Sequence, residues 1–180
     1  MKRQESPLLQ HGEYFNTNQQ LQQLRQGQID IGFIRPPVDD EINSEIVFRE
    51  TLIVALPQTH PMADRAQVEL RLLSTEPFIL FPRSLAPGLY DRIISFCQQA
   101  GFSPIAAQEA IQMQTIVSLV AADMGVAIVP ESMQNFQRSG VVYKPIQEPS
   151  PIVSIALIWL NHPTQAVLRF LQTARDLSTL

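Results

Sequence analysis

A single cysteine, Cys97, and seven glycines against 14 prolines are all that 180 residues contain of these types. One cysteine excludes an internal disulfide framework and is compatible with a reducing compartment. So few glycines exclude a collagen-like repeat, and no segment recurs at a period of about 20–50 residues. Charge is sparse too: 17% of residues are charged, 13 basic against 17 acidic, for a formal net charge of −4. No broad basic surface follows, which argues against nucleic-acid binding by this chain alone. The longest apolar run, Ile155-Ala156-Leu157-Ile158-Trp159-Leu160, is far too short to span a bilayer. Met1-Lys2-Arg3-Gln4-Glu5-Ser6-Pro7 carries positive charge but no apolar region after it, so no secretory signal is read. A cytoplasmic protein without membrane contact is expected.

What the chain does have is 45% hydrophobic residues, enough for one ordinary domain or two small lobes. Residues 1–15 show no periodicity and read as a loose lead-in. Thr17-Asn18-Gln19-Gln20 fits a capping box, with Leu21 and Leu24 on one helix face and Gly27 as the stop. A short buried strand over Ile29–Ile34 ends at Arg35-Pro36-Pro37. Strands follow at Glu45–Phe48 and Thr51–Leu56, the second uniformly apolar and therefore buried on both faces. A helical turn is expected near Val68–Leu73, then a strand over Pro77–Phe81. Pro87 suits the first turn of a helix whose core face is Leu89, Ile93 and Phe96.

The alternation continues with strands at Ile105–Gln108, Gly125–Pro130, Val141–Ile146 and Ile152–Leu160. Helices are expected around Met113–Val120 and after Asn161-His162-Pro163-Thr164, the last with Val167, Phe170, Leu171 and Ala174 inward. This pattern predicts an α/β fold with mixed, mainly parallel sheets.

Catalytic patterns are largely missing. There is no G-x-S-x-G, no P-loop and no G-x-G-x-x-G. His11, His60 and His162 are isolated and lie at no metal-ligand spacing; His60 and His162 each precede a proline and read as loop residues. Cys97 follows Phe96 on an amphipathic helix, where a buried structural thiol is expected. No metal or cofactor is implied, and no nucleophile–base pair can be assembled.

Two places carry binding chemistry instead. Phe81-Pro82-Arg83-Ser84-Leu85-Ala86-Pro87-Gly88 joins a buried strand to a helix start, where α/β sheets hold ligands and helix N–H groups face anions. Arg83 offers a planar fork for a carboxylate there, and is equally an ordinary exposed loop arginine. Thr17 also begins a helix, where capping and ligand contact are compatible, and Arg35 follows a strand end. The spacing alone supports a small acidic ligand between strand ends.

Three strings then carry a resemblance. Leu24-Arg25-Gln26-Gly27-Gln28-Ile29-Asp30-Ile31-Gly32-Phe33 resembles the L-x-x-G-x-L-D element of LysR-type transcriptional regulators. The string from Phe48 to Ala63, with Glu50, Leu52, Pro57, His60 and Pro61, is similar to that family's E-x-L-x-x-x-x-P-x-x-H-P-L-A segment. Leu119-Val120-Ala121-Ala122-Asp123-Met124-Gly125-Val126-Ala127-Ile128-Val129-Pro130 resembles its L-V-A-A-G-x-G-I-A-L-V-P, with Asp123 in place of the usual glycine.

The resemblance implies the family's regulatory domain over residues 16–180: two lobes of the type II periplasmic-binding-protein fold, joined by crossing strands around an effector. Its division here is a partial first lobe from 16–54 and 150–180, and a second lobe from 55–149. The first lobe is expected to be incomplete, because the family's first strand and helix, with an effector-contacting Ser or Thr, find no counterpart. Phe81-Pro82-Arg83 with Pro87-Gly88 looks most like the branch responding to aromatic acids and their ring-cleavage products. That branch implies effector contacts from Thr17, Arg35, Leu80, Phe81, Pro82 and Arg83. It also implies a homo-oligomer, a small carboxylate effector, no enzymatic activity, and DNA contact only through a winged helix-turn-helix outside these residues. A transport-type binding protein, disfavoured by the missing signal, and a non-functional regulator fragment are the alternatives. An enzyme acting on a carboxylic acid is a third, disfavoured by the missing nucleophile–base pair.

Overall fold

A computed structural model describes residues 16–178. Two sheets organise them. In the first, β8 (Val153–Trp159) lies between β1 (Gly32–Ile34) and β2 (Asn43–Glu50). Strand side chains alternate across a sheet, so neighbouring β8 residues serve opposite faces. Ile158 packs with Leu24, Ile34 and Ile42 under helix α1 (Thr17–Arg25), while Leu157 packs with Val167 and Leu171 of helix α4 (Gln165–Ser178).

In the second sheet β3 (Leu52–Pro57) lies between β6 (Ala127–Pro130) and β7 (Val141–Pro145). Every residue of β3 is buried, as its uniform apolar run requires. Val126 bridges in parallel to Phe78 of β4 (Pro77–Leu80), and β4 pairs in parallel with β5 (Ile105–Glu109). Helices α2 (Pro87–Gln99) and α3 (Met113–Ala121) bury Leu89, Ile93 and Phe96, and Ile116, Val117 and Val120. These join β3, β4 and β6 in the largest core, which includes Cys97. Burial pushes the Cys97 thiol up to about 12, so it is inert at neutral pH.

The pairing is less parallel than the alternation of strands and helices predicts. Of the five ladders between named strands, only β4–β5 is parallel. The reason is one long return path. The chain runs through β2 and β3 from Asn43 to Pro57, and residues 141–159 come back alongside it as β7 and β8, antiparallel in both sheets. Local alternation carries no information about a pairing between segments so far apart in sequence.

Three local expectations shift as well. The N-cap of α1 is Asn16, not Thr17: Asn16 Oδ1 accepts from Gln19 N–H and Gln19 Oε1 accepts from Asn16 N–H, both at 2.9 Å. Asn16-x-x-Gln19 has the same capping spacing one residue earlier, and asparagine is among the favoured caps. Gln20 is thereby released, and its Oε1 accepts from Phe33 N–H at 2.9 Å. Phe170 of α4 is 45% exposed rather than inward, edge-on to the equally exposed Phe33. Among the described residues, β1 has a strand partner on one side only. His11 lies outside the described residues.

Gly125 fixes the junction of β6 with β4. Its φ is +146°, and a Cβ there would lie 2.3 Å from the Pro77 carbonyl oxygen. Gly125→Ala should therefore lower unfolding stability by about 2 kcal/mol or more in urea denaturation. Gly27→Ala has open space around its Cβ and should lose only about 1 kcal/mol, the left-handed backbone strain alone. Equal losses would contradict the close approach at Pro77.

Candidate functional site: the junction between the two sheets

The chain crosses between the sheets twice, at Thr51 and over residues 146–152. Ser150 ties the two crossings: its Oγ accepts from Leu52 N–H at 2.9 Å and donates to the Leu52 carbonyl at 3.0 Å. Thr51 Oγ1 donates to Glu131 Oε2 at 2.6 Å. Beside them lies Glu50, the last residue of β2 and, among the described residues, the one buried charged side chain.

Glu50 joins three parts of the chain. Its Oε1 accepts from Arg35 Nη2 at 3.0 Å, and its Oε2 accepts from Ser132 N–H at 2.8 Å. The carboxylate side chain is 3% exposed and the Arg35 side chain 21%. Such a pair is held by hydrogen bonds to both oxygens, since a buried carboxylate with one partner would be unstable. Arg35 Nη1 is buried with no hydrogen-bond partner.

Helix starts converge nearby. Gly88, in the first turn of α2, packs so closely that a Cβ would lie 2.5 Å from the Pro36 carbonyl oxygen. Asn18, in the first turn of α1, donates from Nδ2 to the Ser84 carbonyl at 3.3 Å. Thus the β1–β2 loop meets α2, and α1 meets the β4–α2 loop.

The sequence-predicted residues fall into two groups. Thr17 is the first residue of α1, half-buried beside Asn18, and Pro82 is half-buried at the start of the loop that Asn18 touches. Leu80 and Phe81 are core residues, 3% and 4% exposed, with Phe81 edge-on to Tyr90. Arg83 is exposed, and Asp91 occupies its fork through bonds of 2.6 and 2.7 Å. That pairing raises the Arg83 pKa and lowers that of Asp91, in each case chiefly through the shared hydrogen bonds. Arg35 is committed to Glu50.

Sequence reasoning missed Glu50, Ser132 and Asp91. Glu50 carried a signal: it is an acid directly before the wholly buried strand β3. Asp91, eight residues from Arg83 on an exposed helix face, carried none. His60 does lie in a turn, but its side chain is only 8% exposed, with Nε2 3.4 Å from Glu76 Oε1.

Residues 13–178 match the LysR substrate binding domain. The chain belongs to that family. The HTH-type transcriptional regulator CatR of Pseudomonas putida is 33% identical over 156 residues, 86% of this chain and 54% of CatR. The Escherichia coli regulator YnfL is 31% identical over 152 residues, 84% of this chain and 51% of YnfL. The chain thus spans about half the length of these relatives. Among solved structures, the effector binding domain of BenM with its effector benzoate superposes with a TM-score of 0.77. That match is 29% identical and covers 92% of this chain and 76% of the other. The fold is that of the LysR substrate-binding domain, a mixed α/β fold of the periplasmic-binding type.

Two ion pairs within this LysR domain test burial against exposure. Glu45 of β2 pairs with Arg175 of α4, with side chains 31% and 50% exposed. Glu50→Gln should cost about 3 kcal/mol or more in equilibrium unfolding, because it strands Arg35. Glu45→Gln should cost about 1 kcal/mol or less. The Arg175 hydrogen bond lowers the Glu45 pKa, so its contribution is complete above the ordinary carboxylate range and is lost as pH falls through the lowered folded value. Similar losses for the two substitutions would show that Glu50 is not the buried anchor.

Proposed function

We propose that this chain is the effector-binding domain of a LysR-type transcriptional regulator, and that it binds a small aromatic or unsaturated carboxylate between two lobes. One lobe is built on the first sheet with α1 and α4, the other on the second sheet with α2 and α3. The observation that carries this reading is the junction itself. Arg35, Glu50 and Ser132 join the two sheets by hydrogen bonds, beside the contact of α1 with the β4–α2 loop. A ligand held by groups from both sides there would favour one mutual arrangement of the lobes, and binding would shift that equilibrium.

Thr17, Arg35 and Pro82 are the proposed contacts, with Leu80 and Phe81 supplying the wall behind the loop. Arg83 would take part only by exchanging Asp91 for the ligand carboxylate. The reading is one of binding without catalysis. DNA recognition falls to a helix-turn-helix domain outside residues 1–180, and assembly as a homo-oligomer belongs to the same proposal. The benzoate named for BenM supports the choice of ligand class.

Calorimetric titration of the protein with benzoate and with cis,cis-muconate tests it. At least one should bind, while benzamide, which lacks the charge, should not. Asn16, not Thr17, caps α1, so Thr17→Val removes the hydroxyl without losing the cap. It should weaken binding about tenfold, with Thr17→Ser near wild type. Binding of benzamide as tight as that of benzoate would overturn the carboxylate reading, as would the absence of any binding at millimolar concentration.

A further inference from the structure

Arg92 stands one turn into α2 and makes no ion pair among the described residues. The acid beside it in sequence, Asp91, is taken by Arg83. Arg92 lines a recess of about 160 Å³ together with Arg35, Ile46, Leu89, Ile152 and Ser154. Three of these residues come from the first sheet and its flanking loop (Arg35, Ile46 and Ser154), and two from α2 (Leu89 and Arg92). No acidic residue lines it, although the protein carries a net charge of −4. Arg35 contributes a guanidinium whose Nη1 is buried and unpartnered. Ile46 and Ile152 are 41% and 56% exposed, so the apolar wall is uncovered.

We infer that this recess is a separate binding site for a small carboxylate with a compact aliphatic body, its charge held by Arg35 and Arg92 and its hydrocarbon against Ile46, Leu89 and Ile152. Each feature of the lining selects part of that chemistry. An unpaired guanidinium favours an oxyanion, and the start of a 13-residue helix at Gly88 and Leu89 adds positive potential. The apolar wall disfavours inorganic phosphate, which would leave it wet. The volume lies well under the roughly 300–1,000 Å³ of sites for drug-sized ligands, so the body is a few carbons long. Bound there, the acid touches both lobes. The inference does not depend on the Thr17 site and can fail without it.

Isobutyrate is the probe, with isobutyramide and inorganic phosphate as comparators, titrated into the whole protein while backbone amide resonances are followed. Isobutyrate should shift Gly88, Leu89 and Ser154, and the other two should not. Arg92 is exposed, so Arg92→Met should fold as wild type; it should raise the isobutyrate Kd at least tenfold. Thr17→Val should leave that Kd unchanged. Isobutyrate affinity indifferent to Arg92→Met, or shared equally by isobutyramide, would overturn the site. If benzoate binding were weakened by Thr17→Val while isobutyrate shifted none of these amides, the recess would be refuted and the first reading would stand.

Discussion

A single buried carboxylate organises the meeting of the two sheets. Glu50 sits where β2 ends and the chain crosses, and both of its oxygens are used: one by Arg35 from the end of β1, the other by the Ser132 amide just after β6. Burying a charge is costly unless its partners are fixed, so the β1–β2 loop and the turn after β6 must hold their places for Glu50 to stay ionised there. The arrangement favours geometry more than stability. A well-packed apolar residue could replace the pair with little loss of folding free energy, but would no longer specify how the lobes meet.

The long antiparallel return of residues 141–159 along 43–57 is the second constraint. It places one ribbon in both sheets, so the two lobes are not independent beads on a linker. Ser150 stitches the ribbon at its crossing by accepting from and donating to Leu52. Movement between lobes must therefore concentrate at Thr51 and residues 146–152, close to Glu50. A ligand in this region acts on the hinge and on the buried ion pair together, which gives binding a direct route to lobe geometry.

Much of this was legible in the sequence, and for physical reasons. The uniformly apolar run after Thr51 could only be a buried strand, and the spacing of Leu89, Ile93 and Phe96 could only be a helix packed on one side. Element order and the family resemblance followed from such local signals. Parallel or antiparallel pairing did not, because it depends on which distant segment returns beside which. The cap of α1 was placed one residue late because Asn16 and Thr17 are both good caps with a glutamine three residues on. Arg83 illustrates a deeper limit: a strand-end arginine is a fair candidate for a ligand carboxylate, yet a carboxylate two turns away in the protein's own helix already fills its fork.

The central claim is that carboxylate binding changes how the two lobes are held. Cys97 is buried and inert, so spin labels can be directed to introduced cysteines at exposed positions on either lobe, such as Leu168→Cys on α4 and Gln114→Cys on α3. The distance distribution between them, measured with and without saturating benzoate or muconate, reads lobe geometry directly. The account predicts a narrower distribution with a shifted mean when a carboxylate is bound, and no change on adding benzamide. A distribution identical with and without a carboxylate shown to bind would contradict it.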